Sequence, residues 1–183
     1  ISRGLVGSEM CIRDSNGGLS TQAKVAPTST KPLRAGKGWL YEGGIRIPQL
    51  IKFINQKNQH LIDVPVVSYD LFTTVFNHLK LNHNLDEKDG IDLSNLSSKK
   101  IKRDYILWHF PHYHGSLWRP GSAIRNGDWK LLKFYEENKL ELYNLKNDLG
   151  EETDLSRVFI AINITNPFTA WFLINLTISR IYL

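Results

Sequence analysis

Apolar and polar positions alternate in blocks that predict short strands and one clear helix in the first two thirds of the chain. The apolar run from Ile47 to Ile54 predicts a largely buried strand. Apolar residues at helical spacing between positions 71 and 79 predict a helix. Ser68 stands where the N-cap of this helix is expected, and Asp70 in the first turn suits the helix dipole. Asp70 is therefore interpreted as a residue of the helix start and not as a catalytic acid.

The last third of the sequence predicts an antiparallel meander. Tyr105 to Phe110 alternate as in a strand with two occupied faces, and Pro111 prevents the strand from continuing. Three further short strands are predicted at Ala123–Arg125, Trp129–Phe134 and Leu140–Tyr143. Asn126-Gly127-Asp128 is a strong hairpin signal for the turn between the first two of them. The polar side chains of this region are expected on solvent faces and in turns.

The two ends of the chain differ in character from its middle. Residues 1–15 show neither helical nor alternating periodicity and no secretory signal, and they resemble translated sequencing-adapter read-through, so we expect a foreign segment. Residues 157–183 are almost uncharged and long enough to span a membrane, yet asparagines and Pro167 argue against a span. We favour a shifted reading frame as the origin of this tail, and a membrane partner is not expected.

Composition narrows the range of partners. The 183 residues carry a formal net charge of +5, which favours an acidic partner such as a sulfated polymer, a nucleic acid or an anionic membrane. The sequence has no helix-turn-helix, RNA-recognition or zinc-finger pattern, so we do not expect nucleic acid binding. The single cysteine excludes an internal disulfide and a multi-cysteine zinc site.

The segment from Lys31 to Pro48, KPLRAGKGWLYEGGIRIP, carries the strongest candidate chemistry. Gly36 and Gly38 flank Lys37, and glycine allows both positive φ and close approach of a ligand to the backbone. The lysine ammonium is a compact charge with three donors that suits a sulfate or phosphate group. An ordinary solvated loop lysine is the alternative interpretation.

This segment closely resembles a pattern of the type I sulfatases, members of the alkaline-phosphatase-like superfamily. The match runs from Pro32 to Pro48, with Ala35 in place of one glycine. The resemblance implies an α/β fold class: the end of an alkaline-phosphatase-like large domain at 16–100 and a small C-terminal antiparallel-sheet subdomain at 101–156. It also implies that Lys37 is a catalytic residue that stabilises the sulfate.

A second run, Asn16-Gly17-Gly18, resembles the sulfatase segment whose Asp and Asn oxygens bind a divalent cation, usually calcium. The resemblance implies Asn16 as a Ca²⁺ ligand, although Ser15 occupies the position of the aspartate. Sulfatases also carry a formylglycine made from the Cys or Ser of a C/S-x-P/A-x-R pattern. Cys11 lacks that context, so the nucleophile is expected upstream and the chain is expected to be a C-terminal fragment without turnover.

Three histidines lie close together in the stretch from Tyr105 to Arg119. Counting alone suggests zinc, but Pro111 excludes a helix that would gather them and no fourth ligand is apparent. We favour a saccharide site in which His112, His114 and Arg119 are substrate-binding donors, and an ordinary structural role of the three histidines is the alternative. The aromatic residues expected to cover sugar faces are Trp108, Tyr113 or Trp118. Similar W-H-[FY]-P-H-Y phrases occur in bacterial sulfatases that resemble polysaccharide-acting members.

The sequence thus predicts a sulfuric ester hydrolase whose substrate is a sulfated carbohydrate. A phosphoesterase or phosphonate hydrolase of the same superfamily and a non-catalytic protein that binds sulfated glycans are the alternatives. A periplasmic or secreted location is inferred from the family alone.

Overall fold

A computed structural model describes residues 10–13, 15–21, 26–53, 61–80, 90–94 and 103–157. The chain forms two compact units, one of Ile1–Met10 with Ile51–Arg103 and one of Cys11–Leu50 with Asp104–Leu183. In chain order the elements are β1 (Met10–Arg13), α1 (Glu42–Ile45), β2 (Gln49–Lys52), α2 (Ser68–His78), β3 (Ile106–Phe110), β4 (Gly121–Asn126), β5 (Trp129–Phe134) and β6 (Lys139–Asn144).

The second unit contains a four-stranded antiparallel sheet in the order β3-β4-β5-β6. Ala123 of β4 lies opposite Leu132 of β5 in the register. Gly127 has a φ of 56°, which a residue without Cβ adopts without strain in the tight turn between β4 and β5. The sheet confirms the predicted meander, because local alternation and turn residues determine both strands and register.

Apolar side chains cover both faces of this sheet. Ile124, Leu131 and Leu142 form a small cluster on one face. The main core is on the other face, where Leu40 and Tyr41 of the glycine-rich segment pack among the following residues: Trp118, Ala123, Leu132, Phe134, Tyr143 and Leu145. The sheet therefore serves as the base on which the segment before α1 is held.

Two strand predictions were wrong about burial. Leu50 is 57% exposed because β2 pairs with β1 in a two-stranded sheet, and such a ladder alone does not bury its side chains. In β3, Ile106 is buried whereas Leu107 is 43% exposed, so only one face of this strand is covered. Alternation of apolar residues does not by itself show that both faces have a partner.

The first unit contains the predicted helix, α2, which begins at Ser68, one residue earlier than predicted. Val67 is the N-cap, not Ser68, and its backbone N–H donates to the Asp70 carboxylate at 2.8 Å. Asp70 also accepts the Ile91 N–H at 3.0 Å and pairs with Arg103. Asp70 is completely buried by these contacts, which supports its structural interpretation.

Lys130 of β5 lies at the centre of a buried ionic cluster in the second unit. Its Nζ is 2.9 Å from Oε1 of Glu42 and 2.8 Å from Oε1 of Glu151. Glu151 also accepts the Glu42 backbone N–H at 2.6 Å. Burial raises the pKa of Glu151, and the nearby Lys130 opposes that rise. The expectation of solvent-facing polar residues was wrong for Lys130 and Glu141, which are 0% and 3% exposed.

Both ends of the chain lie mostly outside the described residues. Within residues 1–15, which were expected to be a foreign segment, the structure describes strand β1. Its four residues are too few to show an alternating pattern from which a strand could be predicted. Of the tail at 157–183, only Arg157 is described. Among the residues that the structure describes, none of the helices has the length and apolar character needed to cross a membrane.

Replacing Lys130 by methionine tests the importance of the buried cluster. We expect Lys130→Met to lower the free energy of unfolding by about 3–5 kcal/mol, because it leaves the buried Glu151 carboxylate without its cation and Glu42 with only the longer contacts to Arg46 and Arg125. The matched control is Lys133→Met on the same strand, where Lys133 is only half-buried and a change below about 0.5 kcal/mol is expected. Equal losses in urea denaturation of the two variants would contradict the assignment.

Candidate functional site

The backbone around Lys37 forms a tight turn that leaves the side chain free. The Trp39 N–H donates to the Gly36 carbonyl at 3.0 Å, and the Lys37 N–H donates to the Gly18 carbonyl at 2.9 Å. The Lys37 side chain is exposed. Within the described part of the chain, no carboxylate or hydrogen-bond acceptor is paired with its ammonium group. The turn therefore presents an unneutralised cation to solvent.

Close backbone contacts hold the Asn16-Gly17-Gly18 run against this turn. The Gly17 N–H donates to the Gly44 carbonyl at 2.9 Å. A Cβ on Gly17 would lie 1.7 Å from the Gly43 carbonyl oxygen, so only glycine fits. The Asn16-Gly17-Gly18 run and the glycine-rich segment around Lys37 are thus neighbours in the second unit.

Ala35 occupies a strained position in the same turn. Its φ is 56°, in the left-handed region that favours glycine, which explains why the sulfatase pattern has glycine here. The Ala35 carbonyl accepts hydrogen bonds from the hydroxyls of Ser20 at 2.7 Å and Thr30 at 2.5 Å. These bonds hold the unfavourable conformation in place.

His114 packs directly on Gly38. A Cβ on Gly38 would lie 2.1 Å from Nδ1 of His114, so the imidazole covers the backbone next to Lys37. Nδ1 also accepts the Ser116 backbone N–H at 3.2 Å. The Ser116 hydroxyl is 2.9 Å from the same nitrogen. Ser116 therefore occupies Nδ1 and orients the imidazole against the turn around Lys37.

Trp39 connects two parts of the site. One is the turn at 36–39, called the lysine turn, and the other is the stretch at 105–119 that carries the three histidines, called the histidine segment. The Trp39 indole N–H donates to the Ser116 carbonyl at 2.7 Å, and its ring makes an edge contact with Trp118 at a centroid distance of 5.6 Å. Trp118 is only 1% exposed and belongs to the core, so its predicted role in covering a sugar is wrong. Trp108 is half-buried against the same core, whereas Tyr113 is 67% exposed.

The three histidines do not converge. Nδ1 of His109 is 2.8 Å from the Ser122 hydroxyl and 2.7 Å from the Tyr135 hydroxyl, away from the lysine turn. His112 is exposed, and Arg119 forms an ion pair with Glu137. In the described ranges, no group of three His, Cys, Asp or Glu residues is arranged to hold a metal.

The described residues do not fit a complete calcium site. Asn16 is exposed and offers one amide oxygen, whereas Ca²⁺ takes 6–8 oxygen ligands. The described ranges contain no cluster of three metal-ligating side chains that would supply the others. Asn16 as a calcium ligand remains a prediction, and a calcium-dependent rise in Tm that Asn16→Ala abolishes would establish it in this chain.

Arg34 is a structural residue that sequence reasoning missed. Its guanidinium lies 4.0 Å above the Tyr41 ring and donates to the Tyr143 hydroxyl and the Glu151 carbonyl, both at 2.7 Å. The partners in β6 and beyond are more than a hundred positions away. No local pattern in the sequence signals such a contact.

The Glu141 carboxylate contacts Arg34 and accepts hydrogen bonds from the hydroxyls of Tyr41 and Tyr143. Burial opposes ionisation of this carboxyl, but hydrogen bonds from Lys139, Tyr41 and Tyr143 outweigh burial and lower its pKa. The Tyr41 hydroxyl donates to the carboxylate at 2.5 Å. An anionic Glu141 therefore fixes the aromatic side chain that follows the lysine turn.

A four-stranded antiparallel sheet with few helices is consistent with the C-terminal subdomain of the sulfatase fold. A solved 2-O GAG sulfatase shares this fold, with a TM-score of 0.63 and 19% identity over 94% of this chain and 36% of its own. The family model described as N-sulphoglucosamine sulphohydrolase, C-terminal, matches residues 35–166. The chain belongs to this sulfatase family.

Two further relatives support the assignment. A sulfatase of Formosa agariphila is 30% identical over 185 residues, which cover 87% of this chain and 32% of that protein. The crystal structure of Ps i-CgsB in complex with k-i-k-neocarrahexaose is 26% identical, with a TM-score of 0.61 over 84% of this chain and 33% of its own. The chain therefore spans about a third of the length of these relatives.

Replacing Ala35 by glycine tests the strain in the lysine turn. The left-handed conformation costs an L-residue about 1–2 kcal/mol, and the extra freedom of unfolded glycine offsets part of that gain. We expect Ala35→Gly to raise the free energy of unfolding by about 0.5–1 kcal/mol. Ala26→Gly, at an exposed position with ordinary φ, is expected to lower it. A loss of stability in both variants by chemical denaturation would contradict the strain.

Proposed function

We propose that this chain supplies the sulfate- and sugar-binding C-terminal part of a sulfatase that acts on a sulfated carbohydrate. The observation that carries the proposal is the exposed Lys37 ammonium, which lacks a counter-charge among the described residues and lies in a turn closed by His114. An unpaired cation beside an imidazole held in a fixed orientation suits an anionic group attached to a sugar.

Lys37 would donate to the sulfate oxygens and stabilise negative charge as the ester bond breaks. Nε2 of His114 would contact a sulfate or hydroxyl oxygen next to it, because Nδ1 is already occupied by Ser116. His112 is exposed and offers a second imidazole, and the exposed ring of Tyr113 offers an apolar face to a sugar. Arg119 reaches the ligand only if it leaves Glu137.

The relatives favour a carbohydrate over other sulfate esters. The family is named for a sulphohydrolase of N-sulphoglucosamine, and Ps i-CgsB was crystallised with a neocarrahexaose. From these relatives we carry over to this chain only the class of substrate, a sulfated carbohydrate. The same comparisons give no support to the phosphoesterase or to the non-catalytic alternative.

The nucleophile is proposed to lie outside these residues. None of the Cys or Ser residues of the sequence begins a C/S-x-P/A-x-R pattern. We therefore expect the purified chain to bind a sulfated oligosaccharide without hydrolysing it or a chromogenic aryl sulfate. Hydrolysis by this chain would contradict the proposed location of the nucleophile.

Removing the Lys37 ammonium tests the anion site. A hydrogen bond to a charged group contributes about 1.5–3 kcal/mol, so Lys37→Ala should weaken binding of a sulfated oligosaccharide at least about tenfold by calorimetry. Binding of the unsulfated oligosaccharide should not change. Lys31→Ala, at an exposed position in the same segment, is the control and should have little effect. Equal effects of the two substitutions, or equal affinity for both oligosaccharides, would refute the site.

A further inference from the structure

The turn between β5 and β6 contacts the histidine segment through three consecutive side chains. The Tyr135 hydroxyl lies 2.7 Å from Nδ1 of His109. Glu136 accepts a hydrogen bond from the Tyr113 hydroxyl, and Glu137 forms an ion pair with Arg119. The Tyr135 backbone N–H also donates to the carbonyl of Pro120 at 3.0 Å. The proposed function gives this turn no role, although it contacts two of the residues expected to meet a sugar.

Glu137 neutralises Arg119, one of the residues expected to bind the sugar. The two side chains are 36% and 58% exposed, so both can exchange partners with a ligand. A carboxylate beside the guanidinium cancels its attraction for a second sulfate group and repels that group directly. Lys37, whose ammonium has no partner among the described residues, is then a stronger anion-binding group than Arg119.

Glu136 holds the exposed ring of Tyr113 in one place. The hydrogen bond to Glu136, followed by desolvation, raises the pKa of the Tyr113 hydroxyl. A ring whose hydroxyl is anchored loses less freedom when a sugar packs on its face. Two neighbouring glutamates thus have different effects, because one masks a cation and the other orders an aromatic platform.

We propose that the β5–β6 turn is a specificity element that favours sparsely sulfated carbohydrates over densely sulfated ones. Glu137 withholds Arg119 from a second sulfate, while Glu136 presents Tyr113 to an uncharged sugar face. The inference rests on the proposed function, since it assumes that the site binds a sulfated sugar.

Two isosteric substitutions separate this inference from a simple effect of net charge. Glu137→Gln and Glu136→Gln each remove one negative charge from adjacent positions. An exposed ion pair contributes up to about 1 kcal/mol, so Glu137→Gln should raise affinity for densely sulfated heparin about two- to fivefold. Glu136→Gln should leave heparin affinity unchanged, whereas Glu136→Leu, which also removes the acceptor of the Tyr113 hydroxyl, should weaken binding of sparsely sulfated chondroitin sulfate about two- to fivefold. The double variant Glu137→Gln/Arg119→Ala should lose the gain.

The possible outcomes distinguish a failure of the β5–β6 turn proposal from a failure of the Lys37 anion site. An equal rise in heparin affinity for both glutamine variants shows an effect of net charge alone and overturns the specificity element, whereas the effect of Lys37→Ala would persist.

Labelling of Arg119 by phenylglyoxal, localised by peptide mass spectrometry, tests without a ligand whether Glu137 masks Arg119. It should be faster in Glu137→Gln than in Glu136→Gln. Faster labelling without binding of either glycan would retain the masking but remove the proposed function, and equal labelling would overturn the masking.

Discussion

The buried pairing of Lys130 with Glu42 and Glu151 is the interaction on which the rest of this structure depends. Removing charges from water is costly unless each one is paired, so these three groups stabilise one another in the interior, and Arg46 and Arg125 add longer contacts to Glu42 at 3.7 and 3.6 Å. Glu42 directly follows Tyr41, whose ring lies in the main core. Movement of the glycine-rich segment off the sheet would expose the core and separate the ions.

This anchoring explains how an exposed lysine can have a defined position. Lys37 makes no described side-chain contact, yet its backbone is bonded to Gly18 and its neighbour Gly38 is covered by His114. The side chain is therefore free while its base is rigid. A preorganised cation of this kind stabilises an anion without the cost of ordering the loop.

Local patterns in the sequence predicted α2 and the four strands of the antiparallel sheet, but not the environment of their polar side chains. β5 was predicted with its observed bounds, because alternation and turn residues are local properties. The burial of Lys130 and Glu141 depends on partners far along the chain, so no local pattern indicates it. His109 was grouped with His112 and His114 by sequence proximity, whereas the register of β3 with β4 places it opposite Ser122. The match from Pro32 to Pro48 identified the lysine turn because that chemistry is contiguous in sequence.

The most direct measurement is a titration of the ¹⁵N-labelled chain with a sulfated monosaccharide, followed by amide chemical shifts. The account predicts that the largest shifts lie at Gly36 to Gly38, at Gly18 and at His114, and that the unsulfated sugar leaves the lysine turn unchanged. Shifts confined to other lysines, or identical shifts with the unsulfated sugar, would contradict an anion site at Lys37.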